Sequence, residues 1–205
     1  MLIPAQPPDL GLAYANTLGW RGRDVPTETL TSLAGLAEWL QRSAGIDAGA
    51  LGDMEDWSRA HPRAAAHTFA QAIEMREALY RMFRAVAAGK AVREADFVVL
   101  QRALHQAPAR DRPARSGRGY GWDVGDLRRS PAHLLAPVLW SAADLLLASS
   151  RMSIRQCANG ECLWLFLDES KNGTRRWCDM AACGNRAKAR RHYLRTKDYK
   201  ARQTQ

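Results

Sequence analysis

RQCANGECLWLFLDESKNGTRRWCDMAACGNRAKARRHYLR, residues 155–195, holds every cysteine of the 205-residue chain. Cys157, Cys162, Cys178 and Cys183 follow the spacing C-x4-C-x15-C-x4-C. Two thiol pairs separated by a hairpin-sized spacer read as a tetrahedral site for one structural Zn²⁺. Disulfides are the poorer reading, because the chain is expected in the cytoplasm, where thiols stay reduced. That expectation rests on the first residues, MLIPAQPPDLGLAYANT, which lack the basic and apolar regions of a signal peptide. No apolar run approaches the ~20 residues that span a bilayer, so no membrane partner is expected.

Working outward, the metal ligands are followed or separated by three local signals. SIRQC reads as a short strand entering the first ligand. Residues 163–177 read as a β-hairpin, with β-formers in LWLFL and a turn at Asn172-Gly173. Asp179 is a good N-cap, and the residues after it are helix-compatible apart from Gly184. On that helix Cys183, Ala187 and Leu194 form a narrow apolar seam. Arg186, Arg190 and Lys197 lie with Tyr193 on one flank, and Lys188, Arg191 and Arg195 on another. A knuckle, a hairpin and a helix carrying the last ligand is the layout of a treble clef.

Charge is unevenly spread. Residues 1–150 carry 17 Lys+Arg against 16 Asp+Glu, whereas residues 151–205 carry 13 against 5. A zinc ion held by four thiolates leaves the second segment at about +6. Either a solvated basic tail or a polyanion-binding surface fits that balance. The helix presents much charge and has little to bury, which favours DNA: Arg186, Lys188, Arg190, Arg191 and Arg195 can reach base edges or phosphates. Arg175 and Arg176 are placed as phosphate contacts. Trp164 and Trp177 could stack on bases, but packing around the metal site is the better reading. His192 reads as a surface histidine, because four cysteines already fill a tetrahedron.

Residues 1–150 read as a mostly helical domain with a small hairpin. LGLAYANTLGW suggests a short helix facing Leu10, Tyr14 and Leu18 inward. Residues 27–43 read as a helix capped by Thr27, and Gly45, Gly49 and Gly52 as a loop. A long helix is predicted from Pro62 to Ala88, with Phe69, Ile73, Arg76, Tyr80, Phe83 and Ala87 on one stripe. Another is predicted near 93–106, burying Phe97, Leu100 and Leu104. ARSGRGYGWDVGDL, residues 114–127, suggests a hairpin. From Ser130 a further helix reaches Ala148, facing Leu135, Leu139, Ala142 and Leu146 inward, with Pro137 marking a kink or a later start. Asp144 is expected to be exposed.

The chain is therefore mainly α: a helical domain, 1–150, that senses a ligand or mediates assembly, and a metal-binding segment, 151–205. No nucleotide-binding glycine pattern, H-E-x-x-H or G-x-S-x-G occurs, and His61, His67, His105 and His133 read as ordinary histidines. Four thiolates leave no open zinc position, so no enzyme and no catalytic residue are expected.

The 155–195 stretch resembles the CGNR zinc finger, named for the tetrapeptide Cys183-Gly184-Asn185-Arg186. LGLAYANTLGW, the 117–123 turn and LLAPVLWSAADLLLAS more loosely resemble the ABATE domain that precedes this finger. The resemblance implies a bacterial stress-induced transcription regulator with Cys157, Cys162, Cys178 and Cys183 as zinc ligands. It assigns no role to Asn16 or Arg21. DNA is the expected partner, with a small-molecule effector in the helical domain and a homodimer as further expectations. The alternative is an RNA-binding or protein-docking finger.

Overall fold

The computed structural model describes residues 1–116, 119–127 and 130–193. Its centre is helix α4 (Pro62–Ala87). Before it come β1 (Leu2–Pro4), α1 (Leu10–Ala15), β2 (Leu18–Gly19), β3 (Thr27–Glu28), α2 (Leu33–Ala44) and α3 (Ala48–Ala60). After it come α5 (Glu94–Gln106), β4 (Pro113–Ser116), β5 (Gly119–Asp123), a 3₁₀ turn (Pro131–Leu135) and α6 (Ala136–Leu147). The cysteine segment adds β6 (Ile154–Gln156), β7 (Leu165–Leu167) and a π-turn (Met180–Gly184).

Pro62 starts α4, where its missing N–H costs nothing. The helix buries more than the predicted stripe. Ala72, Met75, Ala78, Leu79, Met82 and Phe83 are buried, whereas Phe69, Ile73 and Ala87 are only half-buried. The reason is its position: α1, α2, α3, α5 and the β6–β7 pair all pack on it.

The helix expected over 27–43 begins later. Thr27–Glu28 pairs antiparallel with Leu18–Gly19, and the Glu28 carboxylate receives Arg76 at 2.6 and 2.8 Å. Ser32, not Thr27, is the N-cap, accepting from the Gly35 N–H at 3.0 Å. Leu18 accordingly lies on a strand rather than on α1. The glycine-marked loop is mostly α3: Asp47 caps it through the Gly49 N–H at 2.9 Å, and Met54 is buried. A cap and a buried anchor outweigh the ~1 kcal/mol that each helical glycine costs.

On α5, Leu100 is buried and Leu104 half-buried, but Phe97 is 40% exposed. The inward position goes instead to Asp96, which holds Arg81 and Arg93. The predicted hairpin forms as β4–β5, and β1 joins it in the order β1-β5-β4. Gly121 permits this, since a Cβ there would lie 2.8 Å from the Ile3 carbonyl oxygen. Pro137 falls in the first turn of α6, so it marks a later start and no kink. Leu139 and Ala142 are buried as expected, while Leu135 and Leu146 are half-buried. Asp144 is exposed and pairs with Arg110 at 2.7 and 2.8 Å.

The hairpin expected over 163–177 does not form. β7 pairs backwards with β6, so the strands flank the first cysteine pair: Ile154 faces Leu167 and Gln156 faces Leu165. Asn172-Gly173 still turns the chain, with Gly173 at φ 57°, but inside an irregular loop. Asp168 replaces strand pairing there, accepting from the Ser170 N–H (3.0 Å), the Ser170 hydroxyl (2.5 Å) and the Arg175 N–H (2.9 Å). These donors, the Ser170 hydroxyl foremost, hold its carboxyl below the usual range.

Ile154 and Leu165 belong to the same buried cluster as Leu10, Leu40, Leu79 and Leu139. The two segments therefore share one hydrophobic core. No helix among the described residues is long and apolar enough to cross a membrane.

Candidate metal centre and basic surface

The four cysteine sulfurs lie within 4.8 Å of one another. Cys162 and Cys178 are 3.6 Å apart, and Cys178 and Cys183 are 3.8 Å apart. Zinc–sulfur bonds of about 2.3 Å at tetrahedral angles require sulfurs about 3.8 Å apart, so the residues fit one zinc ion. Three of the thiols are buried and Cys178 is half-buried. The hydrogen bond between Cys178 and Cys162 draws the Cys162 thiol down to about 5 and pushes that of Cys178 up. Burial pushes Cys183 up to about 11. Ligation of a cation takes the cysteines as thiolates, so metal binding is linked to proton release.

Backbone turns aim these side chains. The Cys157 N–H donates to the Trp164 carbonyl at 2.8 Å and the Cys162 N–H to Asn159 at 2.9 Å, closing a knuckle. The Asn159 amide lies 3.6 Å from the Cys183 sulfur, where it offsets thiolate charge. Asp179 caps the last element as expected, accepting from the Ala182 N–H at 2.6 Å. The first turn is π rather than α, and the helix continues over residues 185–193. Gly184 lets Met180 fold back, since a Cβ there would lie 2.6 Å from the Met180 sulfur.

Arg186, Lys188, Arg190 and Arg191 are exposed on this helix. Arg195, with Leu194 and Lys197, lies outside the described residues. A groove of about 290 Å³ separates the helix from the knuckle, lined by Asn159, Trp177, Arg186, Arg190 and Arg191. Arg175 is exposed but held to the protein: its guanidinium donates to the carbonyls of Trp177 (2.8 Å) and Cys178 and lies 4.7 Å from the Phe166 ring. Arg176 is exposed beside Trp177. Trp177 packs on the cysteine cluster as expected, whereas Trp164 is 39% exposed. His192 is exposed.

Several residues of this region have no local sequence signal. Asn16, 3% exposed, donates to the Leu165 carbonyl at 2.7 Å and accepts its N–H at 3.0 Å. The Tyr80 hydroxyl donates to the Leu163 carbonyl at 3.0 Å and accepts from Gln156 at 3.0 Å. Trp20 packs on the cysteine cluster. Beneath these contacts Arg21 holds Glu77 at 2.7 and 3.0 Å, and buried Arg76 bridges Glu77 and Glu28. Burial alone would raise both carboxyls, but the hydrogen bonds from Arg76 and Arg21 hold them below the usual range.

The class defined by this geometry is a zinc finger seated on a helical body. The CGNR zinc finger model matches residues 153–196, and the ABATE model, described as "Putative stress-induced transcription regulator", matches residues 9–149. The chain belongs to the ABATE family and ends in a CGNR finger. A search of curated proteins finds no match.

Proposed function

We propose that the protein is a zinc-dependent, DNA-binding transcription regulator in which the helix after Cys183 contacts DNA. The observation that carries this reading is the exposure of Arg186, Lys188, Arg190 and Arg191 on one short helix anchored to the metal site. A polar helix with little to bury would not dock by itself, and metal ligation supplies the missing rigidity. Arg176 adds a phosphate contact from the preceding loop, while Arg175, though exposed, is tied to the carbonyls of Trp177 and Cys178 beside the metal site. The zinc is structural, since four thiolates close its tetrahedron, and the protein acts by binding rather than catalysis. Stress-linked regulation in the cytoplasm, an effector for the helical body (1–150, with the finger as 151–205) and a homodimer complete the reading. One finger gives modest affinity, and a dimer would add contacts.

The test is fluorescence anisotropy against random duplex DNA across a salt series, with and without a zinc chelator. Zinc-dependent binding with a steep salt slope is expected. Binding unaffected by the chelator, or by the joint change Arg190→Ala and Arg191→Ala, refutes the helix as reader. The exposure of Trp164 supports a second reading, stacking of single-stranded RNA, which competition by unpaired RNA against the DNA duplex would reveal.

A further inference from the structure

The turn at residues 20–23 lies far from the cysteines in sequence yet against them in space. Trp20 has φ 52°, an uncommon conformation for a bulky residue and one that only its surroundings can hold. The surroundings are the knuckle. The Gly22 N–H donates to the Glu161 carbonyl at 3.1 Å, and the approach is so close that a Cβ on Gly22 would lie 1.8 Å from the Gly160 carbonyl oxygen. The Trp20 ring then meets two cations. The Arg23 guanidinium lies 3.9 Å from its centroid and that of Arg186 lies 4.7 Å away.

One indole therefore holds two guanidinia closer together than the ~10 Å over which 0.1 M salt screens charge. Like charges so placed repel, and an anion that reaches either of them relieves the repulsion. Among the described residues, the anion that reaches this pair is Glu161, whose carboxylate meets Arg23 through Nε at 3.1 Å. That pair is exposed, with 40% and 55% of the two side chains accessible, so it is weak and readily exchanged. Glu161 engages Nε, so among the described residues the two terminal nitrogens of Arg23 are open to a second anion.

We infer that Trp20, Arg23 and Arg186 form a composite phosphodiester clamp, in which the helical body supplies part of the nucleic-acid surface and Glu161 occupies Arg23 until the DNA backbone displaces it. The inference rests on the DNA reading proposed above. Arg23 is a contact to phosphate, and Trp20 is a positioning residue that acts through the two arginines it stacks. The clamp joins the exposed face of the 185–193 helix to the body across the knuckle. A conformational change in the body that moves the 20–23 turn would thereby alter DNA affinity without touching the zinc ligands.

The experiment measures binding of the zinc-loaded full chain to a labelled random-sequence DNA duplex over a salt series, with zinc content checked for each variant. Glu161→Gln should tighten binding about two- to fivefold, because a competing carboxylate of surface-pair strength is gone. Arg23→Ala should weaken it about three- to tenfold and lower the salt slope by about 0.9, the worth of one phosphate contact. Trp20→Ala should weaken binding at least as much, and Trp20→Phe should recover most of it. Wild-type affinity and slope for both Arg23→Ala and Glu161→Gln would overturn the clamp, while a loss in Arg190→Ala/Arg191→Ala would leave the DNA reading standing. If that double variant also binds like wild type, both fall.

Discussion

Replacing Asn16 by Ala should detach the finger from the body more than its distance from the metal suggests. The side chain satisfies both backbone groups of Leu165, donating at 2.7 Å and accepting at 3.0 Å. Leu165 is 1% exposed and sits in the shared core, so water cannot take over either bond. An unsatisfied buried polar group costs about 1–3 kcal/mol, and two give about 2–5 kcal/mol with partial relaxation. The assay is urea unfolding of zinc-saturated protein. With a slope of about 2–3 kcal/mol/M for a chain of this size, the midpoint should fall by about 1–2 M. Asn16→Asp keeps the acceptor for the Leu165 N–H but sets a carboxylate against its carbonyl, and should be no better than Ala. A midpoint shift under about 0.3 M for Asn16→Ala would refute the reasoning, because the bonds would then be exchangeable with water.

Zinc removal should lower the melting temperature of the whole chain in one transition, because Ile154 and Leu165 are part of the body's core; a separate low-temperature finger transition in calorimetry would contradict this. Gly22→Ala should cost about 1–3 kcal/mol through its clash with the Gly160 carbonyl, read as a lower urea midpoint. Arg76→Met leaves Glu28 and Glu77 without their shared cation and should destabilise by about 2–4 kcal/mol, less than a fully buried pair because both carboxylates are partly exposed. Glu28, Glu77 and Asp96 all have lowered carboxyls, so their contribution is present above the ordinary carboxylate range of about 4 and lost as pH falls through the folded values. The stability difference between wild type and Arg76→Met, which cancels the pH dependence of the metal site, should therefore be level from pH 7 to about 5 and shrink below about 4 in acid titration.

The metal site was legible in the sequence because chelation asks for residue types at workable spacing, and four cysteines at x4, x15 and x4 meet it. The helices α4 and α6 were legible from apolar period and proline position, and Asp179 from cap chemistry. Other features were decided by partners far along the chain. Thr27–Glu28 became a strand because it pairs with Leu18–Gly19 and feeds Arg76, and LFL paired with Ile154–Gln156 because Asn16 and the body's core hold that side of the knuckle. Phe97 yielded its inward place to Asp96 because two arginines converge there. Trp20 and Arg23 carry no local signal at all. Local propensities differ by tenths of a kcal/mol to about one per residue, whereas a buried ion pair, a satisfied backbone pair or a shared core is worth several together. The sequence by itself determined what binds the metal and which helix is basic; the tertiary structure alone decided what that helix stands on.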